Sequence, residues 1–343
     1  MHHRFLTRFD VLVVIIALSF VPAPVEGQAS RAAAKANNWT PPRTPEGHPD
    51  LQGVWSYATL TPLERPERLA GQTHLTDADA AEIVKQAEVR RLDANAAAKL
   101  PPGQVGGYNQ FWYEPGTSVS GDKRTALIVD PADGRIPPLM PEAQKRAAAH
   151  RESLRRLAEG PEDRDTSERC ILGYNAGPPM TPGGYNQNVQ LVQTPGYVLI
   201  HTEMVHNARI VPLDKRQHLP PDLRPWSGDS RGHWEGDTLV VDTSNFTDKT
   251  WNQFNRWNMA SDENMHLVER FTRTGPDTLL YEFTIDDPTT WTKPWSAAVP
   301  LSRTDQLIYE YACHEGNYGM FGILRGARLQ ERTETATESG APR

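Results

Sequence analysis

Histidine and glutamate fall together in one short run, His201-Thr-Glu-Met-Val-His206, and Glu310 and His314 repeat the combination further on. A neutral imidazole takes a proton near neutral pH and a carboxylate can orient it, so these residue types suit general acid–base chemistry. His201 is then the base, Glu203 its orienting partner, and His314 or Glu310 the complementary proton donor. Arg209 is placed to steady a developing negative charge. His201, Glu203 and His206 are also zinc-ligand types, so a zinc site is the alternative. It requires a turn at Val205-His-Asn207, because on a continuous strand His206 points away from the other two. A third reading makes the same glutamates ordinary cross-strand partners of arginine. Apart from zinc no cofactor is expected: phosphate-loop, dinucleotide and Cys-x-x-Cys motifs are absent, as is the Gly-x-Ser-x-Gly elbow.

Aromatic and amide side chains supply candidate binding residues. Tyr108, Asn109, Trp112 and Tyr113 lie in one Gly-bounded loop, and Tyr185, Tyr197 and Glu269 lie in or beside the strands that follow. Ring faces beside amides suit a neutral aromatic or sugar-like small molecule. The alternative is a loop that folds back into the core. The functional expectation is a hydrolase or lyase using His/Glu acid–base groups, with a small-ligand binding protein lacking catalysis as the competing reading.

The elements that must position these residues are mostly strands. Between Asn186 and Glu315 short β-rich runs recur, with turns at Thr194-Pro-Gly196, Glu235-Gly-Asp237 and Thr274-Gly-Pro-Asp277. Period-2 alternation puts Tyr197, Leu199, His201 and Glu203 on one face, Leu267, Glu269 and Phe271 on another, and Ile308, Glu310 and His314 on a third. If the faces bearing Glu203, Glu269 and Glu310 turn inward, they surround a polar interior. The expected fold is mainly β, an antiparallel up-and-down meander closing as a barrel. Residues 30–185 form a helical and loop-rich segment packed on it, with a capping box at Thr76–Asp79 and helices over 80–99 and 141–159. Residues 186–315 are the barrel-like domain, and 316–343 a Gly-rich, polar tail.

Residues 1–29 join a basic start, a short apolar run and a small-residue exit, which fits a secretory leader too short to span a bilayer. The expected location is periplasmic or secreted, with no membrane span in the mature chain. A net charge of −7 without a basic block is a poor match to nucleic acid. Two cysteines, Cys170 and Cys313, in an exported chain are expected to pair.

Gly53-Val-Trp55 resembles the lipocalin signature, in which a tryptophan closes one end of a barrel. The stretches Gly47-His-Pro-Asp-Leu-Gln-Gly-Val-Trp55, Gly228-Asp-Ser-Arg-Gly-His-Trp-Glu-Gly-Asp-Thr-Leu-Val-Val-Asp242 and Tyr311-Ala-Cys-His-Glu-Gly-Asn-Tyr-Gly-Met320 resemble a family of uncharacterised exported bacterial proteins. That resemblance implies a compartment and no activity.

Overall fold

The computed structural model describes residues 39–96, 113–252, 260 and 262–338. The expected leader and the candidates Tyr108, Asn109 and Trp112 lie outside them. One antiparallel sheet of ten strands dominates: β1 (Gly53–Ser56), β2 (Ile128–Asp130), β3 (Asn188–Gln193), β4 (Tyr197–Thr202), β5 (Ala208–Pro212), β6 (Asp229–Glu235), β7 (Thr238–Ser244), β8 (His266–Gly275), β9 (Thr278–Asp286) and β10 (Trp295–Thr304). Its order is β5-β4-β3-β1-β10-β9-β8-β7-β6, with β2 in tandem with β1 along β10. The sheet therefore draws strands from both sides of the Pro/Gly hinge at 177–188.

The expected closed barrel does not form. β5 and β6 remain edges with no ladder between them, although a Cβ placed on Gly232 would lie only 2.9 Å from Val211 Cγ1. Parity sets what closure would take. Without β2 the path has nine strands, and an odd antiparallel path leaves its two edges running the same way. Closure would need a parallel ladder, whose strands are joined by a long crossover rather than a hairpin. The chain between Leu213 and Gly228 is that crossover. β5 is also short and ends at Pro212, which has no N–H to donate.

Three helices accompany the sheet: α1 (Asp77–Ala96), α2 (Pro141–Ser153) and α3 (Tyr318–Glu338). The expected capping box holds α1, with Asp79 N donating to Thr76 Oγ1 at 3.1 Å and Thr76 N to Asp79 Oδ2 at 3.0 Å. Two expectations are corrected at the C-terminal end. Residues 307–315 form no strand, and the segment beyond Gly316 is helical rather than an unstructured tail. Among the described residues no helix is long and apolar enough to cross a membrane.

One face of the sheet is filled by the core. Leu267, Phe271, Tyr281, Phe283, Val299 and Leu301 pack there with Trp55 and Tyr57. Trp55 donates from Nε1 to Leu51 O at 2.9 Å, with the guanidinium carbons of Arg273 and Arg303 5.6 and 5.9 Å from its ring centre. Met180, delivered by the segment before β3, enters the same core and donates its N–H to the Tyr281 hydroxyl at 3.1 Å. A disulfide joins Cys170 to Cys313.

Candidate functional site

Among the described residues two glutamates are buried, and their partners separate their roles. Glu269 on β8 is 0 % exposed and takes a bidentate pair from Arg209 on β5, at 2.6 and 2.8 Å. The Tyr281 hydroxyl donates to the same carboxylate at 2.7 Å. A buried carboxylate with a guanidinium and a phenol is fully satisfied, and this trio ties β5 to β8 and β9 across the interior. Neither Arg209 nor Glu269 is free for a substrate.

Glu203 is 8 % exposed, and among the described residues no cation pairs with it. Asn188 Nδ2 donates to its Oε2 at 2.9 Å, and its backbone N–H donates to Asn188 O at 2.9 Å. Burial pushes its carboxyl above the ordinary value and the nearby Glu114 charge pushes the same way, against hydrogen bonds from Asn188 and Asn186. A buried carboxyl held only by amides thus favours its neutral form more than a free glutamate does.

The backbone explains why sequence alternation misplaced it. β4 ends at Thr202, and Val198, Ile200 and Thr202 are its buried face. Glu203 then takes helical dihedrals, φ −63° and ψ −44°, and turns inward. His201 stays on the opposite, partly exposed face with Tyr197 and Leu199. No hydrogen bond joins His201 to Glu203, so the expected base-and-orienter pair is not formed. Burial and the neighbouring His206 lower the His201 imidazole below its ordinary value. The turn required by the zinc alternative does exist, with Val205 at φ 57° and His206 at φ 41°. It carries His206 Nδ1 to 3.1 Å from Tyr311 O instead. Among the described residues no group of three His, Cys, Asp or Glu side chains is arranged to hold a metal ion. A β-branched residue in the left-handed region, as at Val205, is a costly conformation of the kind that collects at functional sites.

Around Glu203 the chain gathers phenols and amides. Tyr57, 0 % exposed, donates to Asn175 O at 3.3 Å, and burial followed by the Glu203 charge raises its phenol far above the ordinary value. Asn175, also fully buried, donates from Nδ2 to Tyr185 O at 2.9 Å while its Oδ1 finds no partner. The Tyr174 hydroxyl accepts from Gly184 N at 3.0 Å, and its ring meets Tyr185 edge-on at 5.7 Å. Burial raises the Tyr174 phenol, with Tyr113 and Tyr311 adding to the effect. Gly184 lets the Tyr113 ring approach closely, since a Cβ there would lie 2.7 Å from it and the ring would have to shift.

The other expected site residues lie apart from this group. Glu310 and His314 are exposed in the segment around Cys313, where no strand presents them inward. Tyr197 is exposed with Arg216 over its ring, 5.9 Å from its centre. Tyr113 and Tyr185 remain at the site. The amides of the Tyr185–Asn188 stretch, which the sequence offers as ligand-binding types, also lie here, Asn186 and Asn188 both bonding Glu203. Tyr57, Glu114, Tyr174 and Asn175 carried no such signal in the sequence. Compared with known proteins, the chain matches no family model, no curated protein and no solved structure.

Proposed function

We propose that the protein is an exported acid–base enzyme, a hydrolase or lyase, with Glu203 as its proton donor. The observation that carries this reading is Glu203 itself, a buried carboxyl with no cation beside it, held by Asn188 at the end of β4. Such a group destabilises the fold if ionised, and acid catalysis is a setting that rewards its retention. Glu114, exposed and close enough to influence Glu203, supplies the second carboxylate that acid–base scission needs. Tyr113, Tyr174 and Tyr185 offer ring faces and Asn186 an amide, which fits a neutral sugar-like or aromatic substrate. The disulfide and the leader-like start support a periplasmic or secreted location. The carrier reading has less support, because the inward face of the strands, where a barrel would hold its ligand, is packed with side chains.

The test is a turnover screen on neutral aryl glycosides and esters, followed by Glu203→Gln on any substrate found. General acid catalysis requires a rate loss of roughly 10²-fold or more with the fold retained. An unchanged rate in the variant, or no turnover across the panel, would count against the reading.

A further inference from the structure

The stretch from Gly228 to Asp242, singled out above only for its resemblance, carries a second cluster of titratable groups, independent of the Glu203 site. His218 belongs to the crossover between β5 and β6. Its Nδ1 is 2.9 Å from Asp229 Oδ2 and its Nε2 is 2.9 Å from Asp242 Oδ1. Asp242 Oδ2 is in turn 2.7 Å from His266 Nε2. Alternating acid and imidazole thus run from β6 through the crossover to β7 and β8. Asp229 is completed by Arg231 Nη1 at 2.6 Å and by Leu219 N–H at 2.9 Å. Arg231 Nε also donates to Gln217 O at 3.0 Å, so three consecutive residues of the crossover are held by this cluster.

Carboxylate oxygens only accept, so both ring nitrogens of His218 must carry hydrogen for both contacts to be bonds. A neutral imidazole offers one hydrogen and turns a lone pair toward the other carboxylate. Charge points the same way. Asp229, Asp242 and Asp286, whose charge also reaches His266, are balanced by Arg231 only when His218 and His266 are both protonated. The far half of the crossover is anchored by groups that do not titrate near neutrality. Asn245 Nδ2 donates to Leu219 O at 2.8 Å and Pro220 O at 3.1 Å, and Arg224 Nη1 donates to Phe246 O at 2.9 Å. That half leads into Pro225–Gly228, which with Asp229 lines a cavity of about 290 Å³ in the seam between β5 and β6.

We infer that the Asp229–His218–Asp242–His266 chain is a pH-operated clasp. It grips His218 between two carboxylates while the imidazoles are charged, and loses one of those two hydrogen bonds when an imidazole is neutral, so that the crossover's first half is then held more loosely, by the Arg231–Gln217 and Leu219–Asp229 bonds that remain. Asp229 belongs both to the clasp and to the seam lining, so the clasp also sets how that wall is held. The Asp242 hydrogen bond raises the His266 imidazolium above its ordinary 6.5, against burial. A raised histidine contributes its stabilisation in full below 6.5 and loses it as pH rises through the folded-state value, which places the loosening on the alkaline side.

Hydrogen exchange of the full chain over 214–220, corrected for the intrinsic pH dependence of exchange, tests this directly. Protection is expected to fall at least tenfold between about pH 5.5 and 8.5, and His218→Gln to show the weaker protection at both. Asp242→Asn keeps an acceptor but removes the charge, so it should move the loss of protection to lower pH. Equal protection at both pH values in the native chain would overturn the clasp. Native behaviour in His218→Gln, or an unmoved midpoint in Asp242→Asn, would do the same.

Discussion

At the scale of single residues, the two buried glutamates show that burial alone does not mark a functional carboxylate. Glu269 is ionically and sterically complete, whereas Glu203 lacks a counter-charge and is held by amides. A stability signature follows. Because burial raises the Glu203 carboxyl, the folded state binds the proton more tightly than the unfolded chain. Stability is therefore lost as pH rises from the unfolded-state value near 4.5 through the folded-state value, and the cost of an ionised Glu203 is complete above it. Glu203→Gln removes that cost, so the variant should melt higher than the native protein at pH 8, with the gap closing toward pH 4. Thermal unfolding at the two pH values checks this, and a variant that melts lower at pH 8 would refute it.

At the scale of elements, alternation was reliable inside strands and failed where strands end. Leu267, Glu269 and Phe271 share the inward face of β8 as their spacing predicts. Glu203, one residue past β4, does not follow the spacing, because helical dihedrals replace extended ones there. The hairpins were legible from their turn residues, and the pairing β6–β7 and β8–β9 follows. What turn chemistry did not indicate is how β5 is attached to the far side of the sheet. The Arg209–Glu269 bond does that, and Arg209→Met should lower unfolding stability by about 3–5 kcal/mol because Glu269 is left buried and unpaired. Chemical denaturation measures it. Adding Glu269→Leu should recover much of the loss, since the unpaired charge is then gone; no recovery would mean that packing rather than charge sets the cost.

At the scale of the whole molecule, the disulfide holds together segments that the sheet does not. Cys170 lies before β3 and Cys313 after β10, at a sequence separation of 143. Tyr311, two residues before Cys313, presents its carbonyl to His206, so the same link supports the turn that carries Glu203. Replacing both cysteines by serine should cost roughly 2–5 kcal/mol of unfolding stability. Equilibrium unfolding with and without reductant gives the comparison, and a native protein indifferent to reductant would show the link to be dispensable.

The sequence by itself determined what depends on local chemistry. Alternating β-rich runs and turn residues specified an antiparallel meander, the Thr76–Asp79 box specified the start of α1, and a chain with two cysteines left each of them a single possible partner within it. Only the tertiary structure decided whether the sheet closes, because that depends on whether its two edge strands meet as a ladder, and on β1 joining the path from before residue 177. Only it separated Glu203 from His201 and gave Arg209 to Glu269. Which charge meets which across an interior is set by how strands pack at long range, and one strand's spacing carries no record of the strand opposite.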